Sequence, residues 1–407
     1  MLSAESIEPT KPAESALDIS NILDKPVPKA INNYLQAAAG QHSDISRKPG
    51  LFLVQEDLQK IKRFCRHVNQ LPTHPLEVVT YLGYSESVVA GLGPSRIAIL
   101  HKNLQQLADL WASVEKSMIT VSTTLMAFSD ELKSFGGAII GLIKKMEGYT
   151  SHAGMVEDVA EEELASLPPI PLQGPDSRVI PSLLSLVQEL VNIIDGYKAD
   201  ANKVKMHIAY FRDELRTARD DISRKLTLFV KTNGNEQAAE LNEEISRYNT
   251  RIAELEKSYS VYTDYKWVGA WWGPVGIGIT WSIFGPKASA IKESYEKEIQ
   301  NKKKLESRIE KLNKAMPALI RLEADLQNML LLTEEALSGA GNLENIWTII
   351  GAYITASAKN IRNTKNATTL FIFETRLSHM IAQWGNVDQE ARLLMQALNQ
   401  DYETKLT

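Results

Sequence analysis

From Leu100 to Tyr149 the apolar residues advance by fours and threes in alternation: Leu100, Leu104, Leu107, Trp111, Val114, Met118, Val121, Leu125, Phe128, Leu132, Phe135, Ile139, Leu142, Met146 and Tyr149. A strand, with its side-chain period of two, scatters such a set over both faces. An α-helix gathers it into one narrow seam of the coiled-coil kind. Gly93-Pro94-Ser95 opens the run with proline in the first turn, where its missing N–H costs nothing. The spacing therefore predicts one helix about 80 Å long at about 1.5 Å per residue.

A proline-rich break follows at Leu167 to Pro175 and again at Pro181. The same alternation then resumes through Leu183, Val187, Leu190, Ile194, Tyr197, Ala201, Val204, Ile208, Phe211, Leu215, Ala218 and Ile222, with a stutter to Leu226 and Phe229. After Gly339-Ala340-Gly341 a third long helix is predicted to start near Leu343 and to pass Ile346, Ile350, Ile354, Ile361, Phe371 and Leu377 to Trp384. A segment from Pro317 to Leu337 and shorter helices around Leu51 to Val68 and Leu76 to Leu92 complete the set. The expected fold is all-α: an elongated up-and-down bundle over residues 51–231 and 317–407, preceded by a partly irregular arm at 1–50.

Between these parts the chain changes character. Trp267 to Pro286 (WVGAWWGPVGIGITWSIFGP) carries no charge, lies between Lys266 and Lys287, and holds four of the seven tryptophans. Its length is close to that needed to cross a hydrocarbon core of about 30 Å as one helix. Gly273-Pro274 falls near its middle, however, and Gly269, Gly276, Gly278 and Gly285 loosen the rest, so the stretch is expected to turn back on itself. Leu241, Ile245, Tyr248, Ile252, Leu255, Tyr259 and Tyr262 lead into it at heptad spacing. Ile291, Tyr295, Leu305, Ile309, Leu312, Met316 and Leu319 lead out, with Glu298 and Lys302 as polar interruptions. The expectation is a long antiparallel coiled-coil hairpin, a stalk of residues 232–266 and 287–316 held away from the body, with residues 267–286 as an apolar tip.

Composition excludes several classes of function. A formal charge of -5 argues against nucleic acid as a partner. One cysteine, Cys65, rules out an intrachain disulfide framework. None of the seven histidines pairs with another at the i, i+4 spacing of a helical zinc site, and Cys65, His67 and His74 are separated by Leu71-Pro72. No Walker-type glycine loop occurs, and Gly136-Gly137-Ala138, inside the long helix, suits close helix contact or bending. No catalytic residue, metal ligand or cofactor site is expected. Residues 1–30 show neither a basic nor an apolar signal region, so export would use a route without a cleavable signal peptide.

The apolar stretch has plainer readings: a buried core turn, or a permanent membrane anchor. A core turn seldom needs four tryptophans, and an anchor seldom breaks at its centre, whereas tryptophan favours the bilayer interface. Tyr259, Tyr262 and Tyr265 suit such a belt and suit seam packing equally. A coiled-coil spacer gripping a protein groove with this tip, and an inner-membrane-tethered sensor or adaptor, are the alternatives from other classes.

A helical bundle with a coiled-coil extension and a Trp/Gly-rich apolar hairpin resembles the α-helical pore-forming toxins related to cytolysin A. In order of elements and length it resembles more closely the A component of the binary α-xenorhabdolysin-type cytotoxins. The resemblance runs from about Leu51 onward and is most specific between Lys266 and Lys287. It implies a soluble monomer that binds the target-cell bilayer through its tip and assembles with a second, B component into a hetero-oligomeric, ring-shaped lytic pore. The membrane-inserting residues it implies are Trp267, Val268, Trp271, Trp272, Val275, Ile277, Ile279, Trp281, Ile283 and Phe284. Gly273 and Pro274 form the turn, and Lys266 and Lys287 reach the head groups.

Overall fold

The computed structural model describes residues 19–38, 52–85, 91–151, 169–233, 236–265, 274–310, 316–364 and 366–399. The chain forms α1 (Val27–Ala38), α2 (Gln55–Asn69), α3 (Pro75–Leu82), α4 (Pro94–Lys144), α5 (Glu147–Thr150), α6 (Ile180–Asn233), α7 (Glu236–Tyr265), α8 (Pro274–Lys303), α9 (Glu306–Glu310), α10 (Met316–Asn363) and α11 (Ala367–Asn399). No strand occurs among the described residues; Pro171 and Asn366 form an isolated bridge. The all-α bundle expected from the heptads is present.

One half of the body is a four-helix bundle of α4, α6, α10 and α11, and each helix sends one aromatic ring to its centre. Phe128 of α4 meets Tyr197 of α6 at 5.3 Å, Trp347 of α10 at 4.7 Å and Trp384 of α11 at 4.9 Å between ring centroids, all edge-on. Tyr197 stacks on Trp347 at 5.4 Å and donates its hydroxyl to Glu131 at 2.8 Å. Edge-to-face rings satisfy their quadrupoles while burying large apolar area, so this knot ties the four helices at a single level.

In the other half, α2 and α3 take the place of α11 against α4. Lys62 pairs with Glu115 at 2.8 Å, and Gln105 donates to the Leu71 carbonyl at 3.1 Å. Burial of α1 through Val27, Ala30, Ile31 and Tyr34 shows that the N-terminal arm contains a packed helix, which its proline content obscured.

The heptad seam of α4 holds from Leu100 to Leu132 and then moves by one residue. Gly136, Ile139 and Ile143 are buried, while Phe135 and Leu142 are only half-buried. A straight helix turns every 3.6 residues, so a strict 3.5 repeat drifts off the core line. Gly136 makes the new line possible: a Cβ there would lie 2.7 Å from Ile381 Cδ1 of α11.

The largest difference from the sequence expectation concerns the third long helix. Gly339-Ala340-Gly341 does not break the chain: α10 runs through it, with Gly339 and Ala340 buried in its packed face. The reversal comes at 364–366, where Asn366 Oδ1 accepts the Thr368 N–H at 2.9 Å and caps α11. The same oxygen accepts the Ile170 N–H at 2.9 Å, tying this turn to the segment after the proline-rich break.

Candidate membrane-binding hairpin

Helices α7 and α8 form an antiparallel pair. On α7 the predicted seam residues Leu241, Ile245, Ile252, Leu255 and Tyr259 are buried and Tyr248 is half-buried. On α8, Tyr295 and Ile299 are buried and Ile291 is half-buried. Ile299, beside the polar Glu298, restores the apolar step that the sequence pattern had left open.

Pro274 is the first residue of α8, where proline's fixed φ and absent N–H fit a helix start. The helix then continues through Gly276, Gly278, Gly285 and Pro286 to Lys303 without a break. Lys266, Trp267, Val268, Trp271, Trp272 and Gly273 lie outside the described residues. Val275, Ile277, Ile279, Trp281, Ile283, Phe284 and Lys287 fall on the described backbone of α8, while their side chains lie outside it, as do those of Tyr262 and Tyr265.

The returning arm is not one helix to Pro317. It ends at Lys303, bends at Lys304-Leu305 and resumes as the single-turn α9. Nor are the described parts of the arms held away from the body. Asn249 donates to Ser223 at 3.1 Å, and Arg216 reaches Glu256 at 3.1 Å, so α7 reverses after α6 and runs back along it. Lys302 pairs with Glu323 at 2.5 Å, and Lys292 with Glu335 at 2.5 Å, so α8 lies antiparallel along α10. Heptad spacing reports which face of a helix is apolar and nothing about what covers its other faces. The docking of the hairpin was therefore invisible in the pattern.

Besides its apolar contacts, the docked surface carries a network of charges. Arg219 meets Glu256 at 2.5 Å, and Arg216 bridges Glu256 to Glu334 of α10, the latter at 3.0 Å. Burial alone would lower the Arg219 pKa, but Glu256 and Asp220 together outweigh it and the net shift is upward. Tyr259 donates to Glu335 at 2.6 Å, and Lys292 shares that carboxylate while lying 4.0 Å from Asp57 of α2. Lys292 is likewise pulled down by burial and raised further by Glu335 and Asp57. Lys302 has the opposite balance: wholly buried, it is lowered by desolvation more than Glu323 raises it. Lys302 also donates to Asn249 of α7, and Arg308 of α9 pairs with Glu244 of α7, so these contacts tie both arms together.

No described helix is long and apolar enough to cross a membrane. Among the described residues no cluster of three His, Cys, Asp or Glu side chains could hold a metal ion. Cys65 packs toward α4, where burial first, and then Glu115, push its thiol up to about 12.

No family model matches the chain, and no curated protein matches it. Among solved structures it is similar to YaxA from Yersinia enterocolitica, with 24% identity and a TM-score of 0.43 over 85% of this chain and 96% of that one. It is also similar to XaxA from Xenorhabdus nematophila, with 19% identity and a TM-score of 0.42 over 86% and 96% of the two chains. Soluble SmhA of the tripartite α-pore-forming toxin Smh from Serratia marcescens aligns with 14% identity and a TM-score of 0.48 over 94% and 95%.

Proposed function

We propose that this chain is the membrane-binding subunit of a two-component pore-forming cytotoxin of the α-xenorhabdolysin type, acting without catalysis or cofactor. The observation that carries this reading is the uncharged Trp267 to Pro286 stretch set between two antiparallel heptad arms, with α8 starting at Pro274. From Pro274 to Pro286 the only side chains with polar groups besides Trp281 are Thr280 and Ser282, so α8 begins as a helix that is apolar all round. Such a surface is suited to lipid or to a protein core.

Length decides how it would enter a bilayer. The apolar part of α8 is about 20 Å long at about 1.5 Å per residue, short of the roughly 30 Å hydrocarbon core. A hairpin of that reach enters one leaflet deeply, and it has no polar face with which to line a lumen. A continuous channel wall would then come from a second component, with this chain as anchor and scaffold. Ten apolar tip side chains, at about 1.5 to 3 kcal/mol each when fully buried, leave on the order of 10 kcal/mol of membrane affinity after ordering costs. In this reading residues 51–231 and 317–407 are the body, 232–266 and 287–316 the carrier arms, and 267–286 the head.

The test is dye release from liposomes and lysis of erythrocytes. The purified chain should bind but release little. Membranes loaded with it and washed should then leak on addition of the second helical component. Strong stoichiometric leakage from the chain alone would contradict the two-component reading, and indifference to lipid would favour a coiled-coil spacer that grips a protein partner.

A further inference from the structure

The contact between hairpin and body differs in kind from the seams within the body. Toward the hairpin's apolar end the apolar part is small: Ile252, Leu255, Tyr259, Tyr295 and Ile299 of the hairpin form a cluster with only Ala324 and Leu331 of α10, whereas Leu241 and Ile245 at the base of α7 belong to the main core. That cluster is distinct from the main core. The remaining contact consists of the charges around Glu256, Glu335 and the buried Lys302–Glu323 pair.

Several polar atoms there are buried without a hydrogen-bond partner among the described residues: Tyr295 Oη and Glu306 Oε1 on the hairpin side, Glu323 Oε1 and Gln327 Oε1 on α10. Each recovers a water partner when the surfaces part, so each favours the parted state. Buried ion pairs behave similarly. Their mutual attraction is offset by the lost hydration of both ions, which fixes position while adding little net stability. An interface built in this way specifies one docked geometry and opposes its release only weakly. The ring knot of Phe128, Tyr197, Trp347 and Trp384 in the body, by contrast, holds no buried ion pair and leaves one polar atom, Trp384 Nε1, without a hydrogen-bond partner among the described residues.

We propose that the α7–α8 hairpin is docked on α6 and α10 by a releasable charge clasp, centred on Lys302–Glu323 and on the Glu256 and Glu335 pairs, and that it undocks as a unit while the bundle stays folded. The clasp regulates the site proposed above: it keeps the hairpin folded along the body until release lets the apolar end reach a membrane. That purpose rests on the membrane-binding reading, but the mechanical claim does not, and its test contains no lipid.

Spin labels at Arg251→Cys on α7 and Arg224→Cys on α6, both exposed, in a Cys65→Ala background of the full chain, report the separation of hairpin and body. In a urea titration the inter-label distance should lengthen at lower urea than that at which the helical signal of the body is lost. A Glu256→Gln/Glu335→Gln variant should shift this first transition further down and leave the second in place. A Lys302→Met/Glu323→Leu variant, which exchanges a buried ion pair for apolar side chains, should shift the first transition up or merge it with the second. A single coincident transition in all three proteins would overturn the proposal, as would a Met/Leu variant that releases more easily than the parent. If the Gln variant fails to fold, the Met/Leu variant alone decides. Clasp behaviour as expected, together with failure to float on liposomes, would refute the membrane reading and leave the clasp standing.

Discussion

Lys302 Nζ lies 2.5 Å from Glu323 Oε2 with the two side chains 0% and 1% exposed, so the returning arm is tied to α10 by a charge pair buried from solvent. Removing one partner strands the other as an isolated buried charge. Glu323→Leu alone should therefore lose about 3 to 5 kcal/mol, while Lys302→Met/Glu323→Leu should recover the parent stability or exceed it. Calorimetric melting of the two variants against the parent checks this. A double variant as unstable as the single one would mean that the pair contributes net stability.

The central ring knot should be the costliest point of the body to disturb. Trp347→Ala removes the ring that touches Phe128, Tyr197 and Trp384, and should cost about 3 to 5 kcal/mol. Denaturant unfolding followed by circular dichroism should show it as a lower midpoint with an unchanged slope.

Adjacent glycines in α4 should respond in opposite ways to alanine. A Cβ on Gly137 meets nothing within 4 Å, so Gly137→Ala should gain about 0.5 to 1 kcal/mol from helix propensity. At Gly136 the new methyl would press on Ile381, and Gly136→Ala should fall below Gly137→Ala by about 1 to 3 kcal/mol. Melting temperatures of the two single variants test the position of α11.

Cys65 should be nearly inert in the folded protein. Its thiol is raised from the usual 9.0 to about 12, so between those values the unfolded chain has lost a proton that the folded chain keeps. Stability from this group is accordingly present below pH 9 and declines as pH rises through about 12. The thiolate is the reactive form. Iodoacetamide labelling should reach half its limiting rate near pH 12 in the native chain and near pH 9 in urea.

The heptads made the body legible where one apolar seam faces one partner. Helices α4 and α6 start close to where Pro94 and Pro181 place them, because those residues act on the local backbone. The reversal at 364–366 was missed because Thr364 and Asn366 make it through side-chain hydrogen bonds, while the glycines that looked like a break serve close packing instead. Lys302 read as a polar interruption of the seam, since its burial depends on Glu323 arriving from α10, and no local pattern encodes that meeting. Of the site, the helical start at Pro274 fits proline's own backbone preference, while the turn read at Gly273-Pro274 falls largely outside the described residues. The docking of the arms was not legible, because it depends on charges distributed over four helices.

The central claim is that the apolar end of the hairpin confers membrane binding without supporting the fold. Liposome flotation of Trp271→Ser/Trp272→Ser beside the parent tests it most directly, with circular dichroism and melting recorded on the same samples. The account predicts unchanged helicity and melting with a loss of most of the floated fraction. A variant that floats as well as the parent, or one that unfolds, would contradict it, since the stretch would then be either idle at the membrane or part of the core.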